Sequence, residues 1–289
     1  MDKEYTKYLL EINEASANRN LSKNFISLDM ITNSLAKLVN SLYVEKENIE
    51  EHHSELESKF LRYIIANHSI IKLLKGLNFK LIDKNINIVD IFSIKSIMRY
   101  QIESYLVMFY LFFDNVSNYE LTIRYDIYKL HALNKQINFE MRGKYAKKKA
   151  VEIQKEINAI KQKIISTDKY LSSDDKTKNR LLNPNRAIMI NRRKLFENSG
   201  LDKSRISDMW KIYSNYAHAE HISDRQFNSY YKLKTADLNS DCLLTLEINF
   251  ILTSRMALML NNQFNSCKKA FSDLTVKEKA HINLWGKLH

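Results

Sequence analysis

The sequence has few of the residues that break helices or form tight turns. Its 289 residues include only 4 glycines and 1 proline. Sheet proteins need turn residues at frequent intervals, so this scarcity argues against a fold made of strands. It also leaves too little glycine for a glycine-rich loop that cradles phosphates. The composition therefore predicts an all-helical protein.

Cysteine is scarce as well. The 2 cysteines, Cys242 and Cys267, fall on one predicted helix, where a rise of about 1.5 Å per residue places them roughly 37 Å apart, beyond disulfide reach. No cluster of cysteine and histidine has zinc spacing. Glu50 and His53 have the spacing of one di-iron ligand pair, but a di-iron centre needs a second pair that the sequence lacks. We therefore predict no metal and no cofactor.

Long apolar segments are also missing. The most apolar run, Ser104 to Phe113, is about half the length that a bilayer requires. The chain begins with MDKEYTKYLLEINE, which is charged and has no apolar core like that of a signal peptide. We therefore expect a cytoplasmic protein with no membrane partner.

Positive charge, in contrast, is abundant. The formal net charge is +12 at pH 7, which suits an anionic partner such as nucleic acid or a membrane surface. Lysine, asparagine and isoleucine are all frequent, however, and AT-rich codon usage produces that bias by itself. The charge permits a nucleic-acid partner without requiring one.

Hydrophobic periodicity predicts a bundle of long helices that forms a single domain over residues 1–289. Two segments are predicted to be central helices, Ile88 to Asp114 and Asn239 to Phe271. The first becomes apolar on every side after Glu103, which is typical of a buried helix. The polar segment 167–186, which contains the turn signal Asn183-Pro184, is predicted to be a loop.

Residues 144–166 are predicted to form a protruding helical arm. Four isoleucines recur there with the spacing of a coiled-coil seam, namely Ile153, Ile157, Ile160 and Ile164. Such a seam needs a partner, either a neighbouring helix or a second subunit. We expect a homodimer to which this arm contributes. Three lysines near its start, Lys147 to Lys149, either contact phosphates or form a solvated face.

The stretch from Arg205 to Arg225 brings most of the polar chemistry together. Ile206, Tyr213 and Ala217 have the spacing of an apolar helix face. The neighbouring stripe consists of Lys211, Ser214, His218, His221 and, if the helix continues, Arg225. Two imidazoles, a hydroxyl and cations on one stripe could hold an anionic group, with a histidine titrating near neutral pH. In the alternative interpretation the histidines cap carbonyls or face water.

Arg99 and Glu103 stand one helical turn apart at the edge of the buried central helix. A charge there costs several kcal/mol unless it is paired. One interpretation is a simple intrahelical ion pair. The other is that Arg99 or Glu103 reaches across to His218 and orients its imidazole.

These motifs resemble those of a known superfamily. The pattern Arg99-x-x-x-Glu103 before YLVMFYLFF, followed by Tyr213-Ser214-x-Tyr216-x-His218, resembles uncharacterised bacterial proteins related to the HEPN superfamily (higher eukaryotes and prokaryotes nucleotide-binding domain). The resemblance covers roughly Phe25 to Phe271. It implies a helical bundle, often dimeric, and for many members a metal-independent ribonuclease of toxin–antitoxin or phage-defence systems.

The resemblance also implies roles for individual residues. His218 would act as general acid and base, and Arg99 would stabilise the phosphorane charge. Glu103 and Ser214 would complete the catalytic group. The substrate phosphates would be bound by Lys211, Tyr213, His221 and Arg225.

The sequence departs from the family motif, in which an arginine precedes the histidine by a few residues. The positions before His218 hold Lys211, Ile212 and Tyr213, so only a lysine variant is present. The motif does occur as Arg62…His68 and Arg124…His131, about as often as chance allows for this composition.

A function of another class fits the same residues. The chain would then be a non-catalytic helical interaction or sensor protein whose polar stripe is structural. The two functions differ in whether Arg99, Glu103 and the His218 stripe converge in one concave, basic site.

Overall fold

A computed structural model describes residues 3–45, 50–81, 84–139, 143–202, 204–218, 220–230 and 235–288. It is 82% helical, which confirms the predicted all-α fold. The α-helices are α1 (Lys3–Ala17), α2 (Leu21–Val44), α3 (Leu56–Leu74), α4 (Ile91–Met108), α5 (Asn118–Ile137), α6 (Lys144–Ile165), α7 (Asp168–Leu171), α8 (Asp175–Leu182), α9 (Arg192–Ser199), α10 (Arg205–Ala217), α11 (His221–Tyr230), α12 (Thr235–Gln263), α13 (Asn265–Ser272) and α14 (Val276–Lys287). A 3₁₀-helix spans Glu51–His53, a π-helix spans Phe109–Phe113, and two strands are β1 (Leu77–Leu81) and β2 (Lys84–Ile88).

The chain divides into two compact units, and the single domain predicted from the sequence stays a prediction. Unit 1 comprises Met1–Ile49, Glu55–Met108 and Gly200–His289, and unit 2 comprises Glu50–Ser54 and Phe109–Ser199. The division has a local cause. The helices of unit 2 follow one another in sequence and bury their apolar faces on each other.

The core of unit 1 is built around α12 and α4, the two helices that the sequence predicted to be central. Helix α12 packs against α2, α4 and α14, while α3 packs against α2 and α4. Helix α10 lies on α4. The long helix predicted to reach Phe271 instead ends at Gln263, and α13 carries the rest. Cys242 and Cys267 are both buried and form no disulfide.

A fully buried polar network links four helices of unit 1. The Asn67 amide nitrogen donates to the hydroxyls of Thr253 and Thr32, at 3.0 and 3.2 Å, and Gln101 donates to the Asn67 amide oxygen. Thr253 donates to the Asn249 amide oxygen at 3.0 Å. These hydrogen bonds between buried side chains connect α2, α3, α4 and α12 to one another.

A short hairpin that the sequence analysis did not predict follows α3. The chain leaves that helix at Gly76, whose φ of 83° lies in the left-handed region that glycine adopts without strain. Strand β1 then pairs antiparallel with β2, with Phe79 opposite Ile86. The segment from Leu77 to Ile88 contains neither glycine nor proline, so it lacks the turn signal by which a hairpin is recognised.

The isoleucine seam of α6 is buried within unit 2. Ile153, Ile157, Ile160 and Ile164 form one apolar cluster with residues of α5 and α8, namely Ile123, Ile127, Leu130 and Leu181. The seam therefore finds its partner in the same chain. The homodimer was predicted because this seam needed a partner. Since the partner lies in the same chain, the seam gives no support to a homodimer.

The segment 167–186, predicted to be a loop, contains the two short helices α7 and α8. Thr167 accepts a hydrogen bond from the Tyr170 backbone N–H, and Asp174 accepts one from that of Thr177. Such N-cap side chains satisfy backbone donors that a helix leaves free, and each contributes about 1 kcal/mol. Polar composition alone did not reveal these caps as helix starts.

Among the residues that the structure describes, one helical segment is long and apolar enough to cross a membrane. It spans Ser240–Gln263, and 72% of its most apolar window is buried inside the protein. Within unit 1 this segment packs against α2, α4 and α14, which cover many of its apolar side chains.

Candidate functional site

Helices α4 and α10 bring three of the four predicted catalytic residues together. The Arg99 Nε donates to the Ser214 hydroxyl at 2.9 Å. Its terminal nitrogens lie 3.2 and 3.3 Å from the two carboxylate oxygens of Glu103, a two-point ion pair. The guanidinium also lies over the Trp210 ring, 5.5 Å from its centroid. Arg99 is thus held by a carboxylate, a hydroxyl and an aromatic ring.

This arrangement holds α10 against α4. The Ser214 hydroxyl donates to the Trp210 carbonyl at 2.9 Å while it accepts from Arg99. The proton of the Ser214 hydroxyl is therefore donated to a backbone carbonyl. A hydroxyl that acts as a nucleophile instead donates its proton to a base. The partner that Arg99 finds on α10 is Ser214, where the sharper sequence hypothesis placed His218.

His218 and His221 do not share one helical stripe, contrary to the prediction. Helix α10 ends at Ala217, and His218 is its C-cap residue, whose backbone N–H donates to the carbonyls of Ser214 and Tyr216. A new helix starts at His221. The Glu220 N–H bonds back to the Asn215 carbonyl, a longer step than an α-helix makes, so the chain leaves the helical path before His221. Both histidines are exposed to solvent.

The predicted substrate-binding residues fall in different environments. Tyr213 is fully buried and shares a hydrogen bond of 3.1 Å with the Thr245 hydroxyl. Burial raises the pKa of its phenol, and no substrate can reach it there. Lys211 is exposed but lies 2.8 Å from Asp208. Arg225 is exposed on α11. Tyr213 is therefore a packing residue.

A second polar cluster, which was not predicted from the sequence, lies between α4, α10, α11 and α12. The Lys95 side chain is 5% exposed and lies 2.7 Å from the Asp241 carboxylate. It also donates to the Tyr216 hydroxyl at 3.0 Å, and Tyr216 donates to Gln226. A signal existed, because Lys95 occupies the same helical face as the buried Ile91 and would need a partner there.

The chance matches to the family motif are structural or exposed. Arg124 is buried, lies 2.6 Å from Asp114 and 3.2 Å from Glu120, and covers the ring of Tyr110. Hydrogen bonds to these carboxylates more than offset its burial and raise its pKa. Arg62 is exposed on α3. Arg124 is thus held by two carboxylates, and His68 of the other match lies 3.6 Å from Asp29.

The end of the α5–α6 hairpin carries another set of exposed side chains. We call it the hairpin tip and define it as residues 133–139 and 143–151. Phe139 is 69% exposed and Tyr145 is 82% exposed. Val151 is exposed as well. Two solvent-facing aromatic rings thus lie at the end of one hairpin.

The lysines of the hairpin tip complete a basic surface. Lys144, Lys147 and Lys148 are exposed and have no ion-pair partner within the ranges that the structure describes. Lys149 lies 3.5 Å from Glu152, a weak exposed pair. These cations are available to an anionic ligand.

Comparison with known proteins adds no relative. No protein-family model, no curated protein and no solved structure matches the chain. Within the described residues, histidine, cysteine, aspartate and glutamate side chains form no group of three or more that could hold a metal ion.

Proposed function

We propose that this protein is a HEPN-like, nucleic-acid-directed protein of the cytoplasm that binds the phosphate backbone through unit 2. The distribution of charge supports the proposal. Unit 2 contains 19 lysines and arginines but 12 aspartates and glutamates, so about a third of the chain holds 7 of its 12 net positive charges. Lysines that neutralise phosphates release counterions from the nucleic acid, which drives binding without reading sequence.

The hairpin tip is the part of unit 2 that supports this function best. Its lysines Lys144, Lys147 and Lys148 project from the first two turns of α6 into solvent. The opposite face of that helix is fixed against α5 and α8 by the isoleucine seam. A helix that is packed on one side and presents exposed cations on the other suits a polyanion, because little side-chain ordering beyond the lysines is needed.

Metal-independent RNA cleavage is the catalytic form of this proposal, as in a toxin or phage-defence effector. It depends on His218, whose exposed imidazole at the end of α10 is accessible to an RNA 2′-hydroxyl. Lys211, His221 and Arg225 would supply positive charge to the phosphate from the same region of α10 and α11.

A second candidate is supported by the contacts of Arg99. Arg99 forms an ion pair with Glu103 and a hydrogen bond with Ser214, and these contacts hold α4 and α10 together without any ligand. That observation favours a non-catalytic interaction or sensor protein. Nucleic-acid binding by unit 2 is compatible with such a non-catalytic protein, since this binding does not use the contacts of Arg99.

The binding proposal is tested with two double variants, each of which removes two lysine charges. Lys147→Gln with Lys148→Gln should weaken binding of a fluorescein-labelled RNA by about tenfold at low salt and reduce the salt slope by about 0.7–0.9 per lost phosphate contact. Lys72→Gln with Lys75→Gln, which removes two exposed lysines of unit 1, is the control and should change affinity far less. Equal losses in both variants would show that net charge, and not unit 2, governs binding. Absence of RNA binding by the wild-type protein would refute the proposal.

A further inference from the structure

We propose that the hairpin tip selects single-stranded nucleic acid by stacking bases on Tyr145 and Phe139. This inference rests on the proposed function and adds the class of nucleic acid to it. Backbone charge alone does not distinguish single strands from duplexes, whereas exposed aromatic rings do, because only unpaired bases offer free faces to them.

The exposure of the two rings is the first observation. Tyr145 is 82% exposed and Phe139 is 69% exposed. Single exposed apolar side chains are common on protein surfaces. Here two aromatic rings and Val151 lie at one hairpin end that also carries exposed lysines. Aromatic rings interleaved with cations are the combination by which proteins bind single strands without regard to sequence.

The helical spacing of α6 is the second observation. Lys148 and Lys149 follow Tyr145 by three and four residues, so all three side chains share one helix face with Cβ separations of about 5–6 Å. A base stacked on the Tyr145 ring would therefore have a lysine within reach of its phosphate. The buried seam begins at Ile153, one turn beyond Lys149, and packs into the cluster with α5 and α8, so only the first two turns of α6 offer Tyr145 and its neighbouring lysines to solvent.

A lipid surface fits the same residues less well. Helices that lie on membranes insert a continuous apolar face. The apolar face of α6 is already buried in unit 2 through its four isoleucines, Ile153, Ile157, Ile160 and Ile164. Isolated rings between lysines leave no such face for lipid.

The test compares strand types with the whole protein. Fluorescence anisotropy is measured with a labelled oligouridylate, an oligothymidylate of the same length and the oligouridylate–oligoadenylate duplex. Tyr145→Ala should weaken both single strands by about tenfold, toward the lower end of what stacking on an aromatic ring contributes. Duplex affinity should change by less than about twofold, since the duplex is bound through its backbone. Tyr43→Ala, which removes a ring of unit 1 that is 66% exposed, is the control and should leave all three affinities unchanged.

The outcomes separate this inference from the proposed function. If the wild-type protein binds duplex and single strands and Tyr145→Ala changes none of the affinities, or all of them equally, the stacking inference is wrong and backbone binding stands. If no oligonucleotide binds, both fail. If phosphatidylserine vesicles bind more tightly than the oligonucleotides and lose affinity in Tyr145→Ala, the tip is a lipid surface. The rings of Tyr145 and Tyr43 are both exposed, so Tyr145→Ala and Tyr43→Ala should each have the melting temperature of the wild type.

Discussion

At the scale of single residues, the burial of a charged side chain decides whether that side chain is available to a ligand. Lys95 is nearly fully buried and pairs with Asp241 at 2.7 Å. Arg99, one turn further along α4, is partly buried and pairs with Glu103 and Ser214. Taking either charge out of water costs several kcal/mol, so both must be neutralised by the protein itself. The groups that remain available to a ligand are those on the surface.

His218 is such a surface group, and it carries the catalytic form of the proposal. We expect His218→Ala to abolish any RNA cleavage while the melting temperature stays close to that of the wild type. The imidazole is exposed, and the capping hydrogen bonds at this position come from the backbone N–H, which alanine retains. Cleavage is measured on labelled RNA in the presence of a chelator, and stability by thermal unfolding.

His68→Ala is the matched control for that experiment. His68 belongs to a chance match to the family motif and lies 3.6 Å from Asp29 on the surface of unit 1. Its loss should leave cleavage intact. Activity that survives in His218→Ala, or that is missing from the wild-type protein, would favour the non-catalytic interaction protein.

At the scale of elements, α6 shows how one helix serves two purposes. Its isoleucine seam packs against α5 and α8, and its opposite side carries lysines into solvent. The sequence predicted that the seam needed a partner, and that was right. The homodimer inferred from it remains a prediction without this support, because the partner is intramolecular.

We expect Ile157→Ala to lower the free energy of unfolding of unit 2 by about 2–5 kcal/mol, the usual cost of such a cavity. The molar mass in solution should not change, since the seam lies inside one chain. Val151→Ala, which truncates an exposed side chain of the same helix, should cost less than about 0.5 kcal/mol. Chemical denaturation and light scattering provide the two measurements.

A different result would change the interpretation of this element. If Ile157→Ala converted a dimer into a monomer, the seam would contribute to a subunit interface. That outcome would restore the dimeric arm that the sequence predicted.

At the scale of the whole molecule, buried imidazoles make stability depend on pH. Burial, reinforced by Lys277, lowers the pKa of His281 from 6.5 to about 4, and burial beside His52 lowers that of His53 to about 4. The unfolded chain binds protons at these sites before the folded protein does. Stability is therefore full above pH 6.5 and falls as the pH drops toward 4.

His281→Gln tests this dependence. Between pH 6.5 and 4, the free energy of unfolding of the variant should decrease by about 3 kcal/mol less than that of the wild type, at about 1.4 kcal/mol per pKa unit. The decrease caused by His53 should remain. The free energy of unfolding is measured by urea denaturation at several pH values. Curves for variant and wild type that run parallel would show that His281 does not titrate in this way.

A carboxylate governs the more acidic range. Burial by itself would raise the pKa of Glu278, but hydrogen bonds from Lys37, Thr275 and Ser34 outweigh it and lower that pKa from 4.5 to about 2. For this acid, stability is present above pH 4.5 and is lost as the pH falls toward 2. The two pH ranges are therefore separable.

Part of the candidate site could be predicted from the sequence. The pairing of Arg99 with Glu103 follows from their spacing, and a polar partner from another helix follows from the cost of an unpaired charge. That the partner is Ser214 does not follow, because it depends on how α10 lies on α4. The burial of Tyr213 likewise depends on packing, since a tyrosine suits a core and a binding site equally well.

The sequence by itself determined that the chain is helical, where its central helices lie and that the Ile153 seam must be covered. These features are local, because they arise from residue spacing, capping and the scarcity of glycine and proline. The tertiary structure decided what covers the seam, that the chain forms two units and that α10 ends before His221. These features depend on which distant surfaces meet, and helical periodicity specifies that an apolar face is buried without specifying its partner.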